Sequence, residues 1–173
     1  MNHEFYMDKA LELARQAAAA DEIPVGALIV NPANGEIIAS AHNLSQHSLD
    51  ATAHAEILAI QEACRKLNSN RLRGLDMYVT LEPCTMCAAA ISFARIEHLY
   101  IGTEDPKGGA VLNGVKFYQQ PTCHHRPIVE SGFLQDECSQ ILKSFFQARR
   151  LHGRRAAGCQ QPTPETALLP LRT

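Results

Sequence analysis

Leu75-Asp76-Met77-Tyr78-Val79-Thr80-Leu81-Glu82-Pro83-Cys84-Thr85-Met86-Cys87 is the stretch on which the fold turns. Leu75 to Leu81 is a short apolar run of strand length, read as a buried central strand. After Pro83 the pattern changes: Ala88, Ala89, Ala90, Ile91, Phe93 and Ala94 are helix formers, ending near Arg95. Met86 is expected in the core. A buried strand feeding directly into a helix is the repeating unit of α/β sheets. Cys84 and Cys87 fall at i and i+3 at the start of that helix, on one face. The positive end of a helix favours thiolate, the form that binds metal.

Upstream, His54-Ala55-Glu56 opens a second helical pattern. Ile57, Leu58, Ile60, Ala63 and Leu67 give it a broad apolar face from about Thr52 to Asn68, with His54 and Glu56 in the first turn. A lone C-x-x-C also suits a redox pair or half of a zinc ribbon. A redox pair has no need of His-x-Glu, and a structural zinc site needs a fourth Cys or His, which is missing at ribbon spacing. His54, Cys84 and Cys87 therefore read as three ligands of one Zn(2+) per chain. Its fourth position stays open for a water whose pKa falls toward ~7. Glu56 is then free to move protons. The spacing H-x-E followed by P-C-x-x-C matches the signature of zinc-dependent deaminases.

The rest of the chain supplies a frame. Residues 4 to 20 form a helix containing Phe5, Leu11, Leu13 and an alanine run. Val25 to Val30 is a strand, and Asn34-Gly35 signals a hairpin that returns as Glu36 to Ser40. Residues 42 to 51 are a polar loop. His98 to Ile101 is a strand, followed by a glycine-rich loop from Gly102 to Gly114. Residues 115 to 126 give no clear pattern, and Pro127 to Val129 suits a short edge strand. Asp136-Glu137 opens a last helix through Arg149 and Arg150, with Ile141, Leu142, Phe145 and Phe146 on its apolar face. These elements predict an α/β fold: three α/β/α layers around a mixed five-stranded sheet, with the ligand site at the C-terminal edge of its strands. The expected division is a deaminase domain over 1–152 and a flexible tail over 153–173.

Composition excludes other classes. An apolar fraction of 46% with 20% charged residues is that of a globular domain, not of a disordered chain. The formal charge of -2 means that any nucleic-acid binding must come from local clusters. Six scattered cysteines do not make a disulfide framework. No run approaches the ~18 apolar residues of a membrane span, and the first residues lack a signal-peptide pattern. A cytoplasmic protein is expected.

The segments Val25–Val30, Asp50-Ala-Thr-Ala-His-Ala-Glu-Ile57, Tyr78-Val-Thr-Leu-Glu-Pro-Cys84 and Asp136–Arg150, with Asp105, Lys107 and Gly109, carry a closer likeness. Over roughly residues 3 to 150 the chain resembles the bacterial tRNA-specific adenosine deaminases of the cytidine-deaminase superfamily. The resemblance implies a cytidine-deaminase-like fold and a homodimer that binds a tRNA anticodon stem-loop and converts its wobble adenosine to inosine. Zinc-activated water would attack C6, with Glu56 as proton shuttle and His54, Cys84 and Cys87 as the zinc ligands. It also implies that Asn43 holds the flipped nucleotide, that Val25 and Leu81 wall the pocket, and that Asp105 approaches the RNA backbone and ribose. Ala51 stands where the family usually has proline, and Pro106 and Gly108 alter the loop after Asp105.

Other charges carry two readings each. His42 and His47 suit either a plain loop or RNA contact, with the loop reading favoured. His124, His125 and Arg126 suit either RNA contact or a solvated turn. Arg149, Arg150, Arg154 and Arg155 suit either a cation-rich helix end or phosphate contact, and the cluster's extent beyond the helix pattern favours phosphates. Two alternatives to tRNA deamination share the metal motifs: a deaminase of free guanine or cytosine, and a non-enzymatic, zinc-stabilised RNA-binding subunit.

Overall fold

The structure, a computed structural model, describes residues 2–157, with side chains as far as Leu151. Helix α1 (His3–Ala19) starts at Asn2, whose side chain accepts the Phe5 N–H, and is followed by strands β1 (Gly26–Asn31) and β2 (Glu36–His42). Helix α2 (Ala55–Leu67), strand β3 (Asp76–Leu81), helix α3 (Thr85–Ala94) and strand β4 (His98–Thr103) come next. A single 3-10 turn at Phe117–Gln119, edge strand β5 (Ile128–Ser131) and helix α4 (Gln135–Ala157) complete the order. The sheet runs β2-β1-β3-β4-β5. β1 is antiparallel to both β2 and β3, whereas β3, β4 and β5 are parallel, so the sheet is mixed as expected.

Strand alternation sends successive side chains to opposite layers. Ala27, Ile29, Met77, Val79, Leu99 and Ile101 face α2 and α3, while Leu28, Val30, Tyr78 and Tyr100 meet α1 and Cys138 of α4. Both faces are covered, which is why β3 and β4 read as continuous apolar runs. In α1 the residues at helical spacing, Met7, Ala10, Leu11 and Ala14, are almost fully buried. Burying a Leu or Met side chain contributes about 1.5–3 kcal/mol. Ala10 and Ala14 bring α1 so close that a Cβ on Gly26 would meet the Ala10 carbonyl at 2.0 Å, so only glycine fits there.

Several features differ from the sequence reading, among them β2, which runs to His42 and not to Ser40. The hairpin closes through four residues, not two: Asn31 pairs with Glu36, and Gly35 at φ 75° donates to the Asn31 carbonyl. Pro32 has no N–H to extend the ladder, which pushes the turn outward. β4 runs on through Gly102 to Thr103. Gly102 is a packing residue, since a Cβ there would meet Cys138 Sγ at 2.6 Å and the Thr80 carbonyl at 2.7 Å. Met86 is only half-buried. Finally, α4 continues beyond Arg150 and Gly153 to Ala157. Leu151, Arg154, Arg155, Ala156 and Ala157 are good helix formers, which carries the helix past Gly153. Of the tail expected over 153–173, residues 153–157 belong to α4, and the rest, with Cys159, lies outside the described residues.

Candidate active site

Topology alone gathers the site at one edge of the sheet. Because β1 runs against β3, the start of β1 lies beside the ends of β2, β3 and β4. The residues just beyond those four strand ends are Val25, Asn43, Glu82 to Cys84, and Asp105. Helices α2 and α3 also begin here. His54 is the N-cap of α2 and Cys84 that of α3, one position earlier than the first-turn placement read from sequence. Neither side chain caps its helix. An Asp or Ser at such a position typically adds about 1 kcal/mol, so both helices forgo a stabilising cap to present a metal donor.

His54 Nδ1 lies 3.7 Å from Cys84 Sγ and 3.5 Å from Cys87 Sγ, and the three donor atoms fall within 4.8 Å of one another. Tetrahedral zinc with Zn–S ~2.3 Å and Zn–N ~2.1 Å has S···N edges of about 3.6 Å. The donor set and its spacing fit zinc. The thiols are strongly coupled: a hydrogen bond from Cys87, against burial and with help from His54, lowers the Cys84 thiol to about 4. That same bond, with burial, pushes the Cys87 thiol far up. The Cys84 sulfur raises His54 above the ordinary imidazole value.

Glu56, in the first turn of α2, is 4% exposed. Burial raises its carboxyl to about 7, and the Cys84 charge adds to this against the lowering effect of its own backbone N–H and of His54. A carboxyl near 7 can both take and give a proton at neutral pH. Glu56, His54 and Cys84 line a cavity of about 220 Å³ together with Val25, Asn43, Leu81 and Asp105. At ~30 Å³ per water that is the room of about seven waters, suited to one heterocycle. All four residues assigned to substrate by resemblance thus meet at the metal donors. Asp105 Oδ1 accepts from the Lys107 and Gly108 N–H groups, which folds its own loop back toward the pocket.

The cavity opens past Leu81, Asp105, Gly108 and Phe146 into a groove of about 930 Å³ between the Asp105 loop and α4. Lys107, Lys143, Arg149 and Arg150 line it, facing Glu104 and Asp105. Arg149 is already engaged: its guanidinium reaches the Asp21 carboxylate at 3.0 Å and carbonyl at 2.7 Å, and lies 4.9 Å from the Phe145 ring centre. His124, His125 and Arg126 line neither cavity nor groove. His125 Nε2 bonds the Ile96 carbonyl at 2.6 Å, and Arg126 Nε donates to the Tyr118 carbonyl at 2.7 Å. These two side chains fasten the loop before β5, while His124 is exposed.

Two buried acids escaped the sequence reading. Glu22, fully buried, receives the Asn43 Nδ2–H at 2.8 Å and the Gln46 and His47 backbone N–H groups at 2.8 and 2.7 Å. Glu82, 3% exposed, receives the N–H groups of Asp105, Val111, Leu112 and Asn113 and the Asn113 side-chain amide. Each fixes one lip of the pocket. Neither has a sequence signal that separates it from a surface acid, although Glu82 stands between a strand and Pro83.

A three-layer α/β fold with a His-Cys-Cys donor set and an acid buried beside it defines a hydrolytic deaminase. The chain belongs to the MafB19-like deaminase family, which matches residues 1–150. It is 55% identical over 146 residues to the tRNA-specific adenosine deaminase of Agrobacterium fabrum, covering 84% of this chain and 95% of that one. A solved structure from work on A-to-I editing by tRNA:A34 deaminases at the wobble position is 55% identical, with a TM-score of 0.77 over 80% of this chain and 99% of that one. The guanine deaminase of Bacillus subtilis is more distant, 31% identical with a TM-score of 0.58 over 87% of this chain and 95% of that one.

Proposed function

We propose that this chain is a zinc-dependent hydrolase that converts adenosine to inosine at the wobble position of a tRNA anticodon loop. The observation that carries the reading is a pocket for one base that opens into a cation-lined groove. A free nucleobase needs only the pocket, whereas a strand also needs a track for its phosphates. His54, Cys84 and Cys87 would hold the zinc, which would supply a water activated at neutral pH. Glu56 takes a proton from the attacking water and delivers one to the purine ring. It then takes the proton of the hydroxyl now on C6 and passes it to the amino group, so that the C–N bond breaks, ammonia leaves and the C6 carbonyl forms. Val25 and Leu81 exclude solvent around the base, Asn43 holds it, and Asp105 meets the ribose and backbone. An unpaired loop offers a base that can be turned into the pocket without breaking a helix.

Phosphates run along Lys107, Lys143 and Arg150 in this reading, with Arg149 also bracing α4. The deaminase domain takes in helix α4 as far as Ala157. The protein works in the cytoplasm as a homodimer, the assembly that the family resemblance carries. No helix among the described residues is long and apolar enough to cross a membrane. The test is deamination of an anticodon stem-loop, free adenosine, guanine and cytosine at two salt concentrations. Turnover of the stem-loop that falls with salt is expected. Salt-independent turnover of free guanine or cytosine, with none on the stem-loop, overturns the assignment.

A further inference from the structure

We infer that Glu22 is a positioning residue for Asn43: its buried carboxylate sets which way the Asn43 amide faces and anchors the adjoining lip of the pocket. The inference rests on the proposed role of Asn43 in holding the base.

Glu22 sits at the junction of α1 and β1, fully buried, and its partners Asn43, Gln46 and His47 all meet it with N–H groups. No Lys or Arg among the described residues neutralises it. His47, the nearest titratable partner, lies 3.3 Å away with an exposed ring. A buried carboxylate with no fixed cation is an expensive way to fill space, and an apolar side chain would serve packing alone better. Burial works to raise its pKa, but the donors from His47, Gln46 and Asn43 outweigh that and hold it below the ordinary carboxylate value.

What only a carboxylate supplies here is two oxygens that accept and never donate. An asparagine amide has nearly equal shape either way round, so packing alone does not choose its orientation. Opposite Glu22 Oε2, only Nδ2 can stand. The same nitrogen lies 3.1 Å from Ser45 Oγ, and the Asn43 backbone N–H is held by the Val25 carbonyl at 3.1 Å. Asn43 Oδ1 is left without a protein donor among the described residues. The polarity that Asn43 offers to the pocket is thus decided on its far side. The other Glu22 oxygen ties down Gln46 and His47, so amide and lip move as one unit.

Glu22→Gln keeps the shape and removes this property. Either orientation of the glutamine sets N–H against N–H, facing Asn43 Nδ2 or facing the Gln46 and His47 amides. On an anticodon stem-loop, kcat/KM should fall about tenfold to a hundredfold, the range for losing a hydrogen bond to a charged group. Metal content should stay at that of the unaltered protein. The deciding measurement is the double-mutant cycle with Asn43→Ala, because residues acting through one another are non-additive. In the Asn43→Ala background, Glu22→Gln should cost less than about threefold. A full and multiplicative loss in both backgrounds overturns the inference and leaves Glu22 as an independent brace. Wild-type kcat/KM in Asn43→Ala alone overturns the base-holding role of Asn43 instead, and the positioning role with it. Should Glu22→Gln fail to fold, Glu22→Asp enters the same cycle: it keeps the charge but withdraws the oxygens by one methylene, and the same criteria apply.

Discussion

Replacing Glu82 by glutamine tests how far one side chain holds the loop that forms a pocket wall. Oε1 of Glu82 accepts from the Val111, Leu112 and Asn113 N–H groups at 2.8–3.1 Å, and Oε2 from the Asp105 N–H and Asn113 Nδ2 at 2.9 and 2.7 Å. A glutamine keeps the larger set by leaving its carbonyl on the Oε1 side. Its NH2 group then confronts two donors. Stranding a buried donor costs about 1–3 kcal/mol, so the pair costs roughly 2–6 kcal/mol, with the lower half favoured because the loop tip reaches water. At about 3 kcal/mol, and 2–4 °C per kcal/mol for a chain of this size, melting should fall by roughly 6–12 °C. Burial alone would raise the Glu82 carboxyl, but the donors from Asn113, Asp105 and Leu112 outweigh it and depress its pKa below 4.5. A depressed carboxyl stabilises the fold above its unfolded pKa, and that stabilisation fades as pH falls through the folded value. The acid limb of the melting profile, below about pH 4.5, should therefore flatten in Glu82→Gln. Differential scanning calorimetry from pH 3 to 7 measures both effects. A melting point within about 2 °C of wild type at pH 7, with an unchanged acid limb, would refute the reasoning.

Cys84→Ala and Cys87→Ala should each lose the roughly one zinc per chain expected of the intact protein, since two remaining donors do not hold a catalytic site; elemental analysis decides it. Glu56→Ala should retain metal and stem-loop binding while its turnover falls about 10²–10⁴-fold, measured under single-turnover conditions. Alanine at Lys107, Lys143 and Arg150 should each lower the log–log salt slope of stem-loop binding by about 0.7–0.9, and an unchanged slope in the triple variant removes the groove as the phosphate track. Arg149→Ala should differ from these by also lowering the melting point, because it releases the contact with Asp21.

The parts of this molecule written in local sequence were legible. Met77 to Leu81 announces a strand because both its faces are covered, and the alanines after Cys87 announce a helix. The donors His54, Cys84 and Cys87 stand out because their chemistry demands fixed residue types at fixed positions. Other features depend on partners far along the chain. Arg149 reads as a phosphate ligand until Asp21, 128 residues earlier, is seen to hold it. Arg126 looks solvated until the Tyr118 carbonyl takes its guanidinium. Glu22 and Glu82 look like surface acids, since burial is a property of the assembled layers and not of neighbouring residues. Phe93, apolar and within a helix, is nevertheless 67% exposed, which its residue type does not announce. Gly102 marked the start of a loop by its flexibility, whereas its place in β4 is dictated by Cys138.

The cradle around Glu82 also bears on how this loop changes over evolutionary time. The loop from Asp105 to Asn113 is held by main-chain N–H groups converging on Glu82 and Asp105, and every amino acid except proline offers that group. Pro106 occupies a position whose N–H no acceptor requires, and the neighbouring bonds come from Asp105, Lys107 and Gly108. Positions 106 and 107 can therefore change side chain while the wall of the pocket stays put, whereas Gly109 cannot, because a Cβ there would meet the Glu82 carboxylate, and Asn113 also gives its side-chain amide to Glu82. Glu82 and Asp105, which collect the amides, leave less latitude for substitution than Pro106 and Lys107 between them.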